Sequence, residues 1–157
     1  MAAAAAPKTF DIPKKYKAVV YDKPGTISTK IEELDTPEPG PGDVLVRLTH
    51  SGVCHSDMGV MENSWRGLPY PTQAGQVGGH EGVGIVHKLG PGSENGRVKV
   101  GDRVGIKSGK VEHVLMYWQD PGTFQQYALA PASYVTPIPE ALSSEDAAPM
   151  LCAGVTT

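Results

Sequence analysis

The chain has 157 residues with 19 Gly and 14 Pro, a density of breakers that excludes a long-helix or coiled-coil protein. The formal net charge is −3 with no basic block, which leaves nothing to draw the chain to nucleic acid or to an anionic membrane. Sixteen Val against nine Leu favour strands joined by tight turns. Met1–Ala6 lacks the charged and apolar regions of a signal peptide, and residues 1–14 read as a disordered tail before one domain over 15–157. Tyr16–Asp22 is the first predicted strand, Lys23-Pro24-Gly25 a turn, and Thr26–Leu34 a second, more exposed strand. Three prolines between Pro37 and Pro41 remove three backbone donors, so neither helix nor central strand passes there. Asp43–His50 alternates Val44, Val46, Leu48 against Leu45, Arg47, Thr49, as a half-buried strand would.

Val53–Met61 carries few breakers and reads as a short helix, followed by a Pro-, Gly- and aromatic-rich loop over Asn63–Gly75. Ten glycines fall between Gly75 and Gly105, where Val83, Ile85 and Leu89 share one strand parity and Val104 and Ile106 another. Gly122–Ala130 is a further strand with Phe124, Gln126 and Ala128 on one face. Ser143 and Asp146 stand at capping-box spacing before a helix that Pro149 is expected either to interrupt or to follow with a new turn. The pattern is mainly β: a small, irregular barrel or sandwich with two short helices. The longest apolar stretch, Ala147–Val155, has nine residues, against about 20 for a membrane span.

Only two cysteines occur, Cys54 and Cys152, with no CxxC pair and no disulfide framework, so free or metal-bound thiols in the cytosol are expected. With His80 they make a Cys₂His set. Three ligands and one open position suit catalytic zinc, whereas structural zinc sites are closed by four. The residue types also allow two ordinary buried thiols and a loop histidine, and the spacing has no helical or hairpin logic.

The words around these residues are more specific. Gly79-His80-Glu81, two residues, Gly84, five residues, Gly90, two residues, then Ser93 fits the zinc signature of the medium-chain alcohol dehydrogenases. Gly52-Val53-Cys54-His55-Ser56-Asp57 is similar to that family's first-ligand motif, and Leu151-Cys152-Ala153-Gly154-Val155-Thr156 resembles its third. Gly101-Asp102-Arg103-Val104-Gly105 and Gly122-Thr123-Phe124-Gln125-Gln126-Tyr127 also resemble it. The resemblance implies a GroES-like catalytic domain, an irregular β-barrel, working in NAD(P)-linked oxidation of small alcohols or reduction of carbonyls.

It further implies that Cys54, His80 and Cys152 bind one catalytic zinc, with Glu81 beside it. Asp57 would accept the second N–H of His80, Ser56 would hydrogen-bond the substrate hydroxyl and begin a proton relay, His55 would contact the cofactor pyrophosphate, and Trp65 would line the substrate pocket. Helix surface charge for Asp57, a helix cap for Ser56, a solvated His55, a salt-bridged Glu81 and loop packing for Trp65 are the plainer readings. Three departures stand out. Gly59 takes the place of a common relay histidine. Ser108–Asp120, with Glu112 and His113 but no cysteine, replaces a four-cysteine zinc lobe. No Gly-x-Gly-x-x-Gly segment exists, so no Rossmann domain is expected and the chain reads as a truncated or alternatively spliced member with negligible turnover alone. A second function class is a non-catalytic GroES-like binding or regulatory module, self-associating or pairing with full-length subunits. A zinc-free quinone reductase relative would share the barrel but not the Cys₂His set.

Overall fold

The computed structural model describes residues 9–64, 71–107 and 121–154. In chain order they form β1 (Lys15–Tyr21), β2 (Thr29–Asp35), β3 (Asp43–Ser51), α1 (His55–Met61), β4 (Glu81–Leu89), β5 (Arg103–Lys107), β6 (Tyr127–Pro131), β7 (Thr136–Pro137) and α2 (Ser144–Ala153). The fold is mainly β, as expected. Five strands make one antiparallel sheet in the order β6-β3-β4-β5-β7, while β1 and β2 pair as a separate hairpin. Single bridges from Ala18 to Gln125 and from Val20 to Val77 tie the hairpin to the rest. Among the described residues the strands close no ring.

The sheet is covered on both faces, and this changes how β3 and β4 read. Val44 and Val46 enter one core cluster with Val86, Val98, Val104 and Ala128, while Leu45 enters another with Tyr16, Ala18 and Val20. Strict alternation therefore fails at the start of β3, where Val44, Leu45 and Val46 are all buried. In β4 the expected set Val83, Ile85, Leu89 gives way to Val83 and Val86, which face opposite sides. Each fully buried Val contributes roughly 1.5–3 kcal/mol by leaving water, enough to override a surface pattern. β6 is shorter than the expected Gly122–Ala130 strand; Gln126 is exposed and Phe124 only half-buried.

Residues 9–14, read from sequence as part of a disordered tail, lie against the sheet. The Phe10 ring stacks on His87 at 3.9 Å, and Ile12 packs beside Tyr16 and Leu45. No helix among the described residues is long and apolar enough to cross a membrane.

α2 starts as expected. Ser143 Oγ accepts the Asp146 N–H at 3.1 Å. The expected interruption at Pro149 does not occur, since α2 runs through it to Ala153. An interior proline costs a helix about 3 kcal/mol. Packing of Ala147 and Ala148 on Val83, with Ile138, Leu142 and Leu151 around them, offsets that cost. Arg103 on β5 holds the approach to this helix: its guanidinium donates to Pro139 O at 2.7 Å, Leu142 O at 2.6 Å and Ser144 Oγ at 3.1 Å. Hydrogen bonds from a charged donor are worth about 1.5–3 kcal/mol when shielded, and these are partly exposed. Arg103→Ala is expected to lower stability by about 2 kcal/mol, read as a lower urea midpoint at unchanged slope; an unmoved midpoint contradicts the clamp.

Candidate metal centre

The centre is assembled where β3 leaves the sheet, β4 enters it, and the last turn of α2 passes over both. Cys54 is the N-cap of α1, in extended backbone at φ −125° and ψ 178°. Its Sγ accepts the Ser56 N–H at 3.3 Å, and its own N–H donates to Asp57 Oδ2 at 2.9 Å. This is a capping box with sulfur in the place usually taken by a Ser or Thr oxygen. Sulfur is the weaker acceptor, so capping alone does not account for cysteine here.

Gly79, at φ +91°, makes the turn that delivers His80 to the start of β4. A Cβ at Gly79 would strike Phe124 and Thr123, so only glycine allows this close approach. His80 Nε2 lies 3.3 Å from Cys54 Sγ, and Nδ1 lies 3.1 Å from Asp57 Oδ1. Asp57 is 0% exposed and thus joins helix and histidine from inside the protein. Glu81 is 1% exposed. Its N–H donates to Thr123 Oγ1 at 3.2 Å, and that hydroxyl is 2.8 Å from Ser51 Oγ. Glu81 Oε1 stands 3.9 Å from His80 Nε2, while Oε2 is buried with no hydrogen-bond partner. Cys152, half-buried near the end of α2, completes the group. One ligand atom from each of Cys54, His80, Glu81 and Cys152 lies within 4.8 Å of the others.

These groups set one another's charge. Burial raises the Cys54 thiol, but the Ser56 hydrogen bonds and the His80 charge outweigh it and hold the thiol below its ordinary value. Burial pulls His80 down, and Asp57, Cys54 and Glu81 together lift it above its ordinary value. Burial, reinforced by the negative Cys54 and Glu81, pushes Cys152 up to about 11. Burial also raises the Glu81 carboxyl, with Asp57 adding to it and His80 opposing.

Such a collection of buried charge is costly unless a cation joins it. Tetrahedral zinc with Zn–S of about 2.3 Å and Zn–N of about 2.0–2.1 Å separates sulfur from nitrogen by about 3.5 Å. The 3.3 Å between Cys54 Sγ and His80 Nε2 is close to that span. Two thiols and an imidazole are also the donors zinc prefers. The residues fit the ion.

Ser56 lies half-buried in the first turn of α1, and His55 is exposed at its start, outside the cluster. Trp65 and the Ser108–Asp120 segment lie outside the described residues. Sequence reasoning missed Gly52 and Thr123, which lie against Glu81, and Ser51, which reaches it only through the Thr123 hydroxyl. Gly52 and Thr123 at least stood inside recognised motifs.

Residues 40–140 match the family model described as the alcohol dehydrogenase GroES-like domain. The chain is 58% identical to alcohol dehydrogenase 2 of Emericella nidulans over 93% of this chain and 44% of that protein. It is 38% identical to an alcohol dehydrogenase of Schizosaccharomyces pombe over 91% of this chain and 44% of that one. Acetophenone reductase from Geotrichum candidum, solved in complex with NAD, superposes with a TM-score of 0.76 at 25% identity, covering 90% of this chain and 45% of that one. The chain therefore spans less than half the length of the relatives it matches.

Proposed function

The chain belongs to the alcohol dehydrogenase GroES-like domain family, and on that premise we propose that it is the zinc-holding catalytic part of an NAD(P)-dependent alcohol dehydrogenase acting on small alcohols and the matching aldehydes or ketones. The observation that carries this reading is the cluster of Cys54, His80, Glu81 and Cys152 ligand atoms within 4.8 Å. Cys54, His80 and Cys152 would hold one zinc ion, which when bound supplies Lewis-acid polarisation of an alcohol or carbonyl oxygen. Cys₂His with an open position is the arrangement already known for alcohol dehydrogenase as a class.

The remaining residues have roles that follow from their places. Asp57 fixes the His80 ring and its tautomer by taking the Nδ1 proton's hydrogen bond, so that Nε2 faces the cluster. The Ser56 N–H supports the Cys54 sulfur, and its hydroxyl is proposed to take the hydrogen bond of the substrate hydroxyl and begin the proton's path outward. Trp65 is proposed to line the substrate pocket, and His55 to meet the cofactor pyrophosphate. The 157 residues contain no Gly-x-Gly-x-x-Gly segment, and one exposed histidine does not make a dinucleotide site. Hydride transfer by this chain alone is accordingly expected to be negligible.

Native mass spectrometry is expected to find about one zinc per chain, as a single catalytic site requires. Imidazole or a small alcohol is expected to perturb the visible spectrum of the Co(II)-loaded chain, because one coordination position is open. A chain that binds neither ion contradicts the metal reading. A chain that binds Co(II) with no response to either ligand points instead to a closed, non-catalytic module.

A further inference from the structure

We propose that Gly52 is a positioning residue: its missing side chain holds the Glu81 carboxylate back from the metal and so keeps one coordination position free. The inference rests on the metal reading above and concerns what keeps that site open.

Gly52 is not among the residues with positive φ, so its backbone does not call for glycine. Space does. A Cβ built at this position falls 2.0 Å from Glu81 Oε2, 2.9 Å from Cδ and 3.1 Å from Cβ. Carbon and oxygen in van der Waals contact stand more than 3 Å apart, so the carboxylate and a side chain at 52 cannot both occupy these places. The backbone on both sides is tied by hydrogen bonds. The Gly52 N–H donates to Glu81 O at 2.9 Å, and Ser51 is in register with Gly82. The Glu81 N–H is itself held by Thr123 Oγ1. What can move is the end of the Glu81 side chain.

The direction of movement follows from the two oxygens. Oε2 faces Gly52, is buried, and has no hydrogen-bond partner to retain it. Oε1 already lies 3.9 Å from His80 Nε2, and the Cys152 thiol is in reach. A methyl group at 52 pushes the carboxylate away from β3 and toward the three proposed ligands. There it becomes a fourth donor, turning an open Cys₂His site into a closed Cys₂HisGlu site. Four protein ligands characterise structural zinc, and three with an open position characterise catalytic zinc. By this account the hydrogen on the Gly52 Cα separates the two.

The test uses Co(II) as the bound ion and imidazole as the entering ligand. Gly52→Ala is expected to keep about one Co(II) per chain, to shift its visible bands, and to raise the apparent imidazole Kd at least tenfold. Gly52→Ala combined with Glu81→Ala is expected to restore imidazole binding, because the carboxylate that moved is gone. Wild-type imidazole affinity in Gly52→Ala overturns the proposal, and so does a double variant as unresponsive as the single. Thermal unfolding of the metal-free variants keeps the steric part falsifiable by itself. A lower Tm in Gly52→Ala that recovers in the double variant supports the Gly52–Glu81 contact, and additive losses refute it. If the wild type binds no Co(II), the metal reading fails first, and the unfolding cycle alone decides the contact.

Discussion

Replacing Asp57 by alanine is expected to lower the stability of the chain by about 3–5 kcal/mol, the range seen when one member of a buried charged pair is removed. The carboxylate is 0% exposed and binds on two sides, to the Cys54 N–H at 2.9 Å and to His80 Nδ1 at 3.1 Å. Alanine leaves the buried His80 ring and the partly buried Cys54 N–H without that partner, at up to about 1–3 kcal/mol each. Asp57→Asn keeps the shape but turns an NH₂ toward one of two donors, and an intermediate loss of about 2 kcal/mol is expected. Chemical unfolding followed by circular dichroism reads both. Zinc affinity should also fall, by about 10–100-fold, because the ring that faces the ion loses its orienting partner. An Asp57→Ala chain with the wild-type midpoint would show that the carboxylate is a bystander.

Cys152→Ser separates the metal from the fold. Zinc sites are worth about 10–16 kcal/mol over four ligands, so one thiolate accounts for roughly 3 kcal/mol, or a hundredfold or more in affinity. The metal-free chain should change by less than about 1 kcal/mol, since serine is of similar size and the site is only half-buried. Loading should depend on pH in a definite direction. The Cys152 thiol, held up at about 11 mainly by burial, keeps its proton at neutral pH. Zinc must displace that proton, so affinity rises with pH by about tenfold per unit for each proton released, and falls in acid. Isothermal titration calorimetry in buffers of different ionisation enthalpy counts those protons. Equal zinc affinity in wild type and Cys152→Ser would remove this residue as a ligand.

How much of this was legible in the sequence depended on how local each signal was. The capping pattern at Ser143 and the turn-bounded strands were readable because neighbours in the chain decide them. β3 and β4 were misread in detail because layers far away in sequence cover both faces, and Leu45 beside Val44 and Val46 then looks like a broken alternation. Pro149 misled for the same reason: the packing of α2 on Val83 outweighs a local rule. The three proposed ligands are 26 and 72 residues apart. No periodicity joins them, and only the short words around each suggested one site. Gly52 and Thr123 were invisible as contributors because their effect is on the space and anchoring of Glu81.

The most direct measurement of the central claim is zinc K-edge X-ray absorption on the zinc-loaded chain. The account predicts two sulfur neighbours at about 2.3 Å with nitrogen or oxygen at about 2.0–2.1 Å. A zinc ion surrounded only by nitrogen and oxygen would contradict it.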